Sequence, residues 1–186
     1  MWSPETTQKT GFILKNLFSG IKTDKILTNE KMTPEEKKEI INKLKNSFKS
    51  DEVEFHGYNR FVLREPYQIK TTTGEITRLY KDRLFNENCK EIILENSYNS
   101  IFMFTAGVAV VCTRENIQIN DGRFTQDRKD GLIDVNGKEL LPCIYDSIHP
   151  HLDGYVEITK AGRKKSTNLN KIIDGTFNWE KALDKD

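Results

Sequence analysis

Apolar positions before residue 50 fall at helical spacing, whereas beyond it they come in short alternating runs. In TPEEKKEIINKLKNSFK (33–49), Ile40, Ile41, Leu44 and Phe48 share one stripe and the lysines face away, which predicts an amphipathic helix. Thr33 is its cap, Pro34 suits the first helical position, and Glu36 completes a T-x-x-E capping box. Upstream, Phe12-Ile13-Leu14, Leu17-Phe18 and Ile21 predict a shorter, more apolar helix ending near Gly20. GVAVVCT (107–113) and GYVEIT (154–159) are Gly-led runs of Val, Ile and Tyr, side chains that suit a pleated surface. YQIKTTTGEITRLY (67–80) and IQINDGRFTQ (117–126) alternate around Thr-Gly and Asp-Gly, where glycine allows a tight hairpin turn. GLIDVNGKELLP predicts two more short strands, Leu132-Ile133 and Glu139-Leu141, joined through Asn136-Gly137. NWEKALDKD adds one helical turn anchored by Trp179. The expected class is α+β: a basic helical region at 1–50, an antiparallel β-repeat domain at 51–175, and a short helical turn or tail at 176–186.

The β region is internally repeated. KDRLFNENCKEI (81–92) aligns without a gap on KDGLIDVNGKEL (129–140) at an offset of 48, with Lys81/Lys129, Asp82/Asp130, Leu84/Leu132, Asn88/Asn136, Lys90/Lys138 and Glu91/Glu139 identical. A two-residue gap upstream carries Arg64-Glu65 onto Arg114-Glu115 and Gly57 onto Gly107. Downstream, one inserted residue carries Tyr98-Asn99-Ser100-Ile101 onto Tyr145-Asp146-Ser147-Ile148. The expectation is two full units, 57–106 and 107–153, and a partial third from Gly154 that loses the pattern in GRKKSTNLNKII, as a capping unit does. Where the second unit has Gly137 the first has Cys89, which must accept a strained turn or sit in a different one.

Residues 129–158 resemble the WG-repeat (KWG-repeat) proteins. Gly131, Ile133, Asp134, Gly137, Lys138, Pro142, Tyr145, Asp146 and Gly154 occupy the matching positions, while the signature Trp is replaced by Asp130 and a late aromatic by His151. The earlier unit keeps Lys90, Tyr98, Phe104 and Gly107 but has Arg83 for the first Gly and Leu94 for the Pro. The resemblance implies a bacterial β-rich repeat protein and speaks to fold more than to function.

The net charge is +1, yet residues 9–49 hold ten lysines against five acids, and from residue 50 onward 19 basic residues face 22 acidic ones. A basic segment ahead of an acidic domain suggests internal docking or an anionic partner. The helix at 33–49 accordingly has two readings: a membrane or RNA binder, or an element packing its stripe on the β repeats, which is favoured because packing supplies most helix stability. Cys89, Cys112 and Cys143 include no CxxC and leave one over after any pairing, which fits reduced thiols. Neither a secretory signal nor a run of apolar residues long enough to span a bilayer is visible, so the expected compartment is the cytoplasm, with no membrane partner.

His149-Pro-His151-Leu-Asp153 has the H-x-H-x-D spacing of some metal hydrolases, but Gly154 follows the acid and only His56 remains elsewhere. The sister positions are Phe102, Phe104 and Ala106, so the slot reads as a packing position rather than as three ligands of a catalytic metal. No nucleophile–base–acid set and no phosphate loop can be assembled, and neither cofactor nor catalysis is expected. The favoured function is a non-catalytic protein-binding module, of inhibitor, immunity or accessory-subunit type in a bacterial assembly. Its candidate contacts are Thr73, Glu75, Asp121 and Arg123 at two hairpin tips, with His149, His151 and Asp153 in a loop. The alternative is a nucleic-acid accessory protein using Lys37, Lys38, Lys45, Arg163, Lys164 and Lys165, and the least favoured reading is a metal-dependent hydrolase at His149, His151 and Asp153.

Overall fold

A computed structural model describes residues 32–70, 76–118, 124–181 and 183–184. The apolar segment at 12–21 and the four tip contacts Thr73, Glu75, Asp121 and Arg123 lie outside the described residues. Helix α1 spans Pro34–Phe48 and its capping box is formed on both sides: the Thr33 hydroxyl accepts from Glu36 N at 3.2 Å, and the Glu36 carboxylate accepts from Thr33 N at 2.7 Å. Leu44 is the buried tooth of its apolar stripe and packs on Val53, Phe61, Leu63 and Phe85. The helix therefore docks on the β domain. No helix among the described residues is long and apolar enough to cross a membrane.

Among the described residues, twelve strands form three antiparallel four-stranded sheets. The first holds β1 (Val53–Phe55), β2 (Arg60–Lys70), β3 (Ile76–Asn86) and β4 (Glu91–Ile92). The second holds β5 (Ser100–Ile101), β6 (Val108–Gln118), β7 (Phe124–Asp134) and β8 (Glu139–Tyr145). The third holds β9 (Ser147–Pro150), β10 (Tyr155–Lys160), β11 (Arg163–Asn168) and β12 (Leu183–Asp184). Pairing is in chain order within each sheet. The runs read separately in the sequence are joined: β2 pairs with β3 from Arg60↔Asn86 to Lys70↔Ile76, and β6 with β7 from Val108↔Asp134 to Gln118↔Phe124. These registers keep the offset of 48 throughout, so the two-residue gap drawn upstream is absent and Arg64 corresponds to Cys112 rather than Arg114. Each residue's counterpart is set by its partner across the hairpin, and that pairing overrides local similarity of side chains.

Strand alternation sorts the side chains into successive cores. Phe61 and Leu63 face α1, while Val62 and Leu84 face the second sheet. Ala109 and Val111 face back to meet them, and Val110 and Leu132 face forward onto Val156 and Ile158 of the third sheet. The order is helix, sheet, sheet, sheet. The two ends are closed differently. Helix α1 covers the first sheet, whereas the outward row of the third sheet has turned polar: Glu157 and Ser166 stand where the inner sheets carry Val62/Leu84 and Val110/Leu132. Sequence similarity fades at GRKKSTN, but β10 and β11 still pair, through a short turn at Ala161-Gly162. Asn168 then starts helix α2 (Leu169–Ile173), and the following 3-10 turn Trp179–Lys181 sets Trp179 into the last core.

A buried aspartate links each sheet to the next. Asp82 is 1% and Asp130 2% exposed. Arg64 donates to both carboxylate oxygens of Asp82 at 2.9 and 3.1 Å, and Arg128 to both of Asp130 at 2.8 and 3.2 Å. The inner oxygen then accepts the backbone N–H that opens the next unit, Ile101 N at 2.9 Å or Ile148 N at 3.4 Å. Since Arg64 lies across the hairpin and Arg128 lies on the aspartate's own strand, the charge pair is kept while its donor position moves. In the third sheet Lys164 stands where the aspartate would be.

The turns at Cys89 and Gly137 are the same turn. Asn86 O accepts from Cys89 N and Asp134 O from Gly137 N, both at 3.0 Å. In each, the Asx side chain accepts two further backbone N–H groups, from Asn88 and Lys90 or from Asn136 and Lys138. Cys89 thus takes the strained option, with φ of 58° where Gly137 has 82°. Gly131 has a different reason to be glycine: a Cβ there would lie 2.7 Å from Leu141 O. β8 spans seven residues and passes Gly131 where its pairing with β7 is irregular, between Asp130↔Tyr145 and Leu132↔Leu141. Arg83 stands at the sister position, and β4 is only two residues long.

Candidate partner-binding surfaces

Two surfaces carry the residues that the sequence singled out. The first is the pair of long hairpins. β2, β3, β6 and β7 are 11 residues each, against 6 for β10 and β11. Below the level of Asp82 and Asp130 the hairpins are packed between neighbouring cores; above it they run on as two-stranded arms. Thr113, Arg114, Glu115 and Asn116 of β6 are polar yet in strand, where their backbone pairs with Lys129, Arg128, Asp127 and Gln126 of β7. On the first arm Pro66, Tyr67, Gln68 and Arg78 are exposed, and Ile76 is 68% exposed. Arg78 lies 5.5 Å from the Tyr80 ring centroid, which braces that flank.

The second surface is the outward face of the third sheet. Cross-strand registers put His149 beside Glu157, and Glu157 beside Ser166. Glu157 is ion-paired with Lys164, and His151 Nε2 lies 3.9 Å from the same carboxylate. Asp153 accepts from Tyr155 N at 3.2 Å, closing the turn between β9 and β10. Both histidines are exposed, and so is Asp153. Their reading as packing positions needs correction: Phe102, sister of His149, is itself exposed beneath Arg128 at 4.9 Å, and only Phe104, sister of His151, is buried. The histidines can leave an apolar slot because, among the described residues, the third sheet is the last of the stack. Among the described residues no group of three or more His, Cys, Asp or Glu is placed to hold a metal.

The six basic candidates do not form one patch. Lys37, Lys38 and Lys45 belong to α1, while Arg163, Lys164 and Lys165 belong to β11, with the second sheet between them. Lys37 Nζ sits 4.1 Å from the Phe55 ring centroid. Lys165 is buried: its ammonium donates to Trp179 O at 3.0 Å and lies 5.3 Å from the indole centroid. It ties down the C-terminal turn and cannot reach a phosphate. Strand alternation is the cause, since adjacent lysines on a strand must point to opposite faces.

One feature escaped the sequence reading. A cleft of about 340 Å³ lies at the base of the first arm, lined by Glu65, Pro66, Tyr67, Lys81, Ser97, Tyr98 and Asn99. The Asn99 amide is fixed by donation to Tyr80 O at 3.0 Å and the Tyr67 hydroxyl at 3.3 Å, and it accepts from Arg114 N at 2.8 Å. Asn99 aligned with Asp146 was visible in the repeat; a cleft following from that exchange was not.

The family model described as "WG containing repeat" matches residues 131–162, which run from the second half of β7 through β8, β9 and β10. The matched unit is therefore cut across two sheets rather than along one. No curated protein and no solved structure matches the chain. Residues 131–162 are therefore similar to a WG repeat, about one sixth of the chain.

Proposed function

We propose that the chain is a non-catalytic protein-binding module, acting as an inhibitor, immunity-type or accessory subunit, with the two hairpin arms as its principal contact surface. The observation that carries this reading is the disparity in hairpin length. The stack needs only hairpins as long as β10–β11 to close a core, yet the first two run to 11 residues per strand. On the first arm Pro66, Tyr67, Gln68, Ile76 and Arg78 are exposed, so burial does not account for its length. The first arm offers an aromatic ring, an aliphatic side chain and a guanidinium (Tyr67, Ile76 and Arg78), a mixture suited to a protein surface. Strand pairing also fixes the backbone that carries these side chains, which lowers the ordering cost of binding.

The test is the salt dependence of a complex isolated from the native host. A protein interface changes affinity modestly between about 50 and 200 mM salt, whereas six to ten phosphate contacts would lower it by a factor of about 10³–10⁵. A steep log–log decline, together with loss on nuclease treatment, would replace this reading with a nucleic-acid one.

A further inference from the structure

The repeat provides an internal template for one ligand. In the second unit Lys129 donates to Asp146 at 2.8 Å and lies 3.5 Å from Asp127. In the first unit its counterpart Lys81 has lost both carboxylates: Asn99 stands for Asp146 and Leu79 for Asp127. The Asn99 amide cannot turn toward the lysine, because its oxygen and nitrogen already serve Arg114 N and Tyr80 O. Glu65 faces Lys81 across the hairpin, yet its carboxylate is taken by Arg83 at 2.7 Å. Among the described residues Lys81 makes no ion pair within 4 Å; the Glu91 carboxylate feels its charge but is bonded to Arg83, and Lys81 lines the open cleft of about 340 Å³ with Glu65, Pro66, Tyr67 and Tyr98.

We infer that this cleft binds an aspartate or glutamate side chain of a protein partner, its carboxylate on Lys81 where Asp146 sits on Lys129, with an adjoining apolar group against Pro66 and Tyr67. The inference rests on the protein-binding reading and names one anchor within it. Charge complementarity selects the ligand: an exposed ammonium at an apolar wall favours an acid flanked by a hydrophobe over a bare anion.

The experiment is an NMR titration of the whole chain with acetyl-Phe-Asp-amide, compared with its neutral isostere acetyl-Phe-Asn-amide. The acidic dipeptide should shift the Asn99 side-chain and Tyr67 signals and bind about threefold to fivefold more tightly than the isostere. Lys81→Gln should abolish that preference. Leu79→Asp, which supplies the internal carboxylate that Lys129 enjoys, should do the same with the spectrum otherwise native; should Leu79→Asp fail to fold, Lys81→Gln carries the comparison. Equal binding of the two dipeptides, shifts confined to other surfaces, or an unchanged preference in Lys81→Gln would each overturn the assignment. Because no natural partner is used, such a failure leaves the arms' role to be judged by the salt-dependence measurement.

Discussion

Tyr98 and Tyr145 are 1% and 5% exposed at equivalent corners, each immediately before the residue that leads into the next sheet. The Tyr98 hydroxyl donates to Glu139 at 2.9 Å, and burial with this neighbour holds its ionisation above the ordinary phenol range. Tyr145 packs instead against Trp179, centroids 6.0 Å apart. Tyr145→Ala should cost about 3–5 kcal/mol in denaturant unfolding, while His149→Ala and His151→Ala, both on exposed side chains, should stay within about 0.5 kcal/mol of wild type. Asp82→Ala should cost about 1–3 kcal/mol, because Arg64 can turn to water but Ile101 N–H loses its buried acceptor. The thiols should separate as well: Cys112 is fully buried, and burial pushes the half-buried Cys143 up to about 11. Maleimide at pH 7.5 should therefore label Cys89 first, since the thiolate is the reacting form; prompt loss of Cys112 would contradict its place inside β6. Glu91, bonded to Arg83, has its carboxyl held below the ordinary value. Its contribution to stability is thus complete above that value and is lost as pH falls through the lowered one, so Arg83→Gln should flatten the acid limb of the stability profile.

Among the elements, α1 was the most legible, because cap, first-turn proline and stripe agree on one answer. The hairpins were half legible. Periodicity marks the alternations inside the stack and those around the Thr-Gly and Asp-Gly turns, but it does not report that they join into paired strands of 11 residues. Cys89 shows a second limit: the sequence poses the choice between a strained turn and a different one, and the Asx ladder from Asn86 decides it. The truncation of β4 beside Arg83 follows a similar logic, since the absent glycine is readable but the carbonyl it must clear is not. Gly131→Ala should accordingly destabilise the chain by about 1–3 kcal/mol, as overpacking against the Leu141 carbonyl does. Its effect should be strongest in hydrogen-exchange protection of β8. Protection unchanged from wild type would mean the close approach is not what sets the length of that strand.

Across the molecule, corresponding helix-facing, inner and outward rows recur from sheet to sheet, and the proposed function rests on where that correspondence breaks. The outward row changes from Val110, Leu132 and Asp130 to Glu157, Ser166 and Lys164, which replaces an apolar pair and reverses the charge that would greet another unit. Restoring it as Glu157→Val, Ser166→Leu and Lys164→Asp should raise self-association in sedimentation velocity, because the row would again present an uncovered apolar face. The arms are the larger break, and whether they exist for binding is the central claim. Replacing 66–80 and 115–127 each by Ala-Gly, the turn that closes β10–β11, gives a chain with the stack and the Arg128–Asp130 pair but no arms. Quantitative affinity capture from the native host, comparing this chain with wild type at matched melting temperature, is the direct measurement. The account predicts a melting temperature within a few degrees of wild type and loss of the captured partner by at least about tenfold, equivalent to roughly 1.4 kcal/mol of binding. Undiminished capture of the same partner by the armless chain would contradict it.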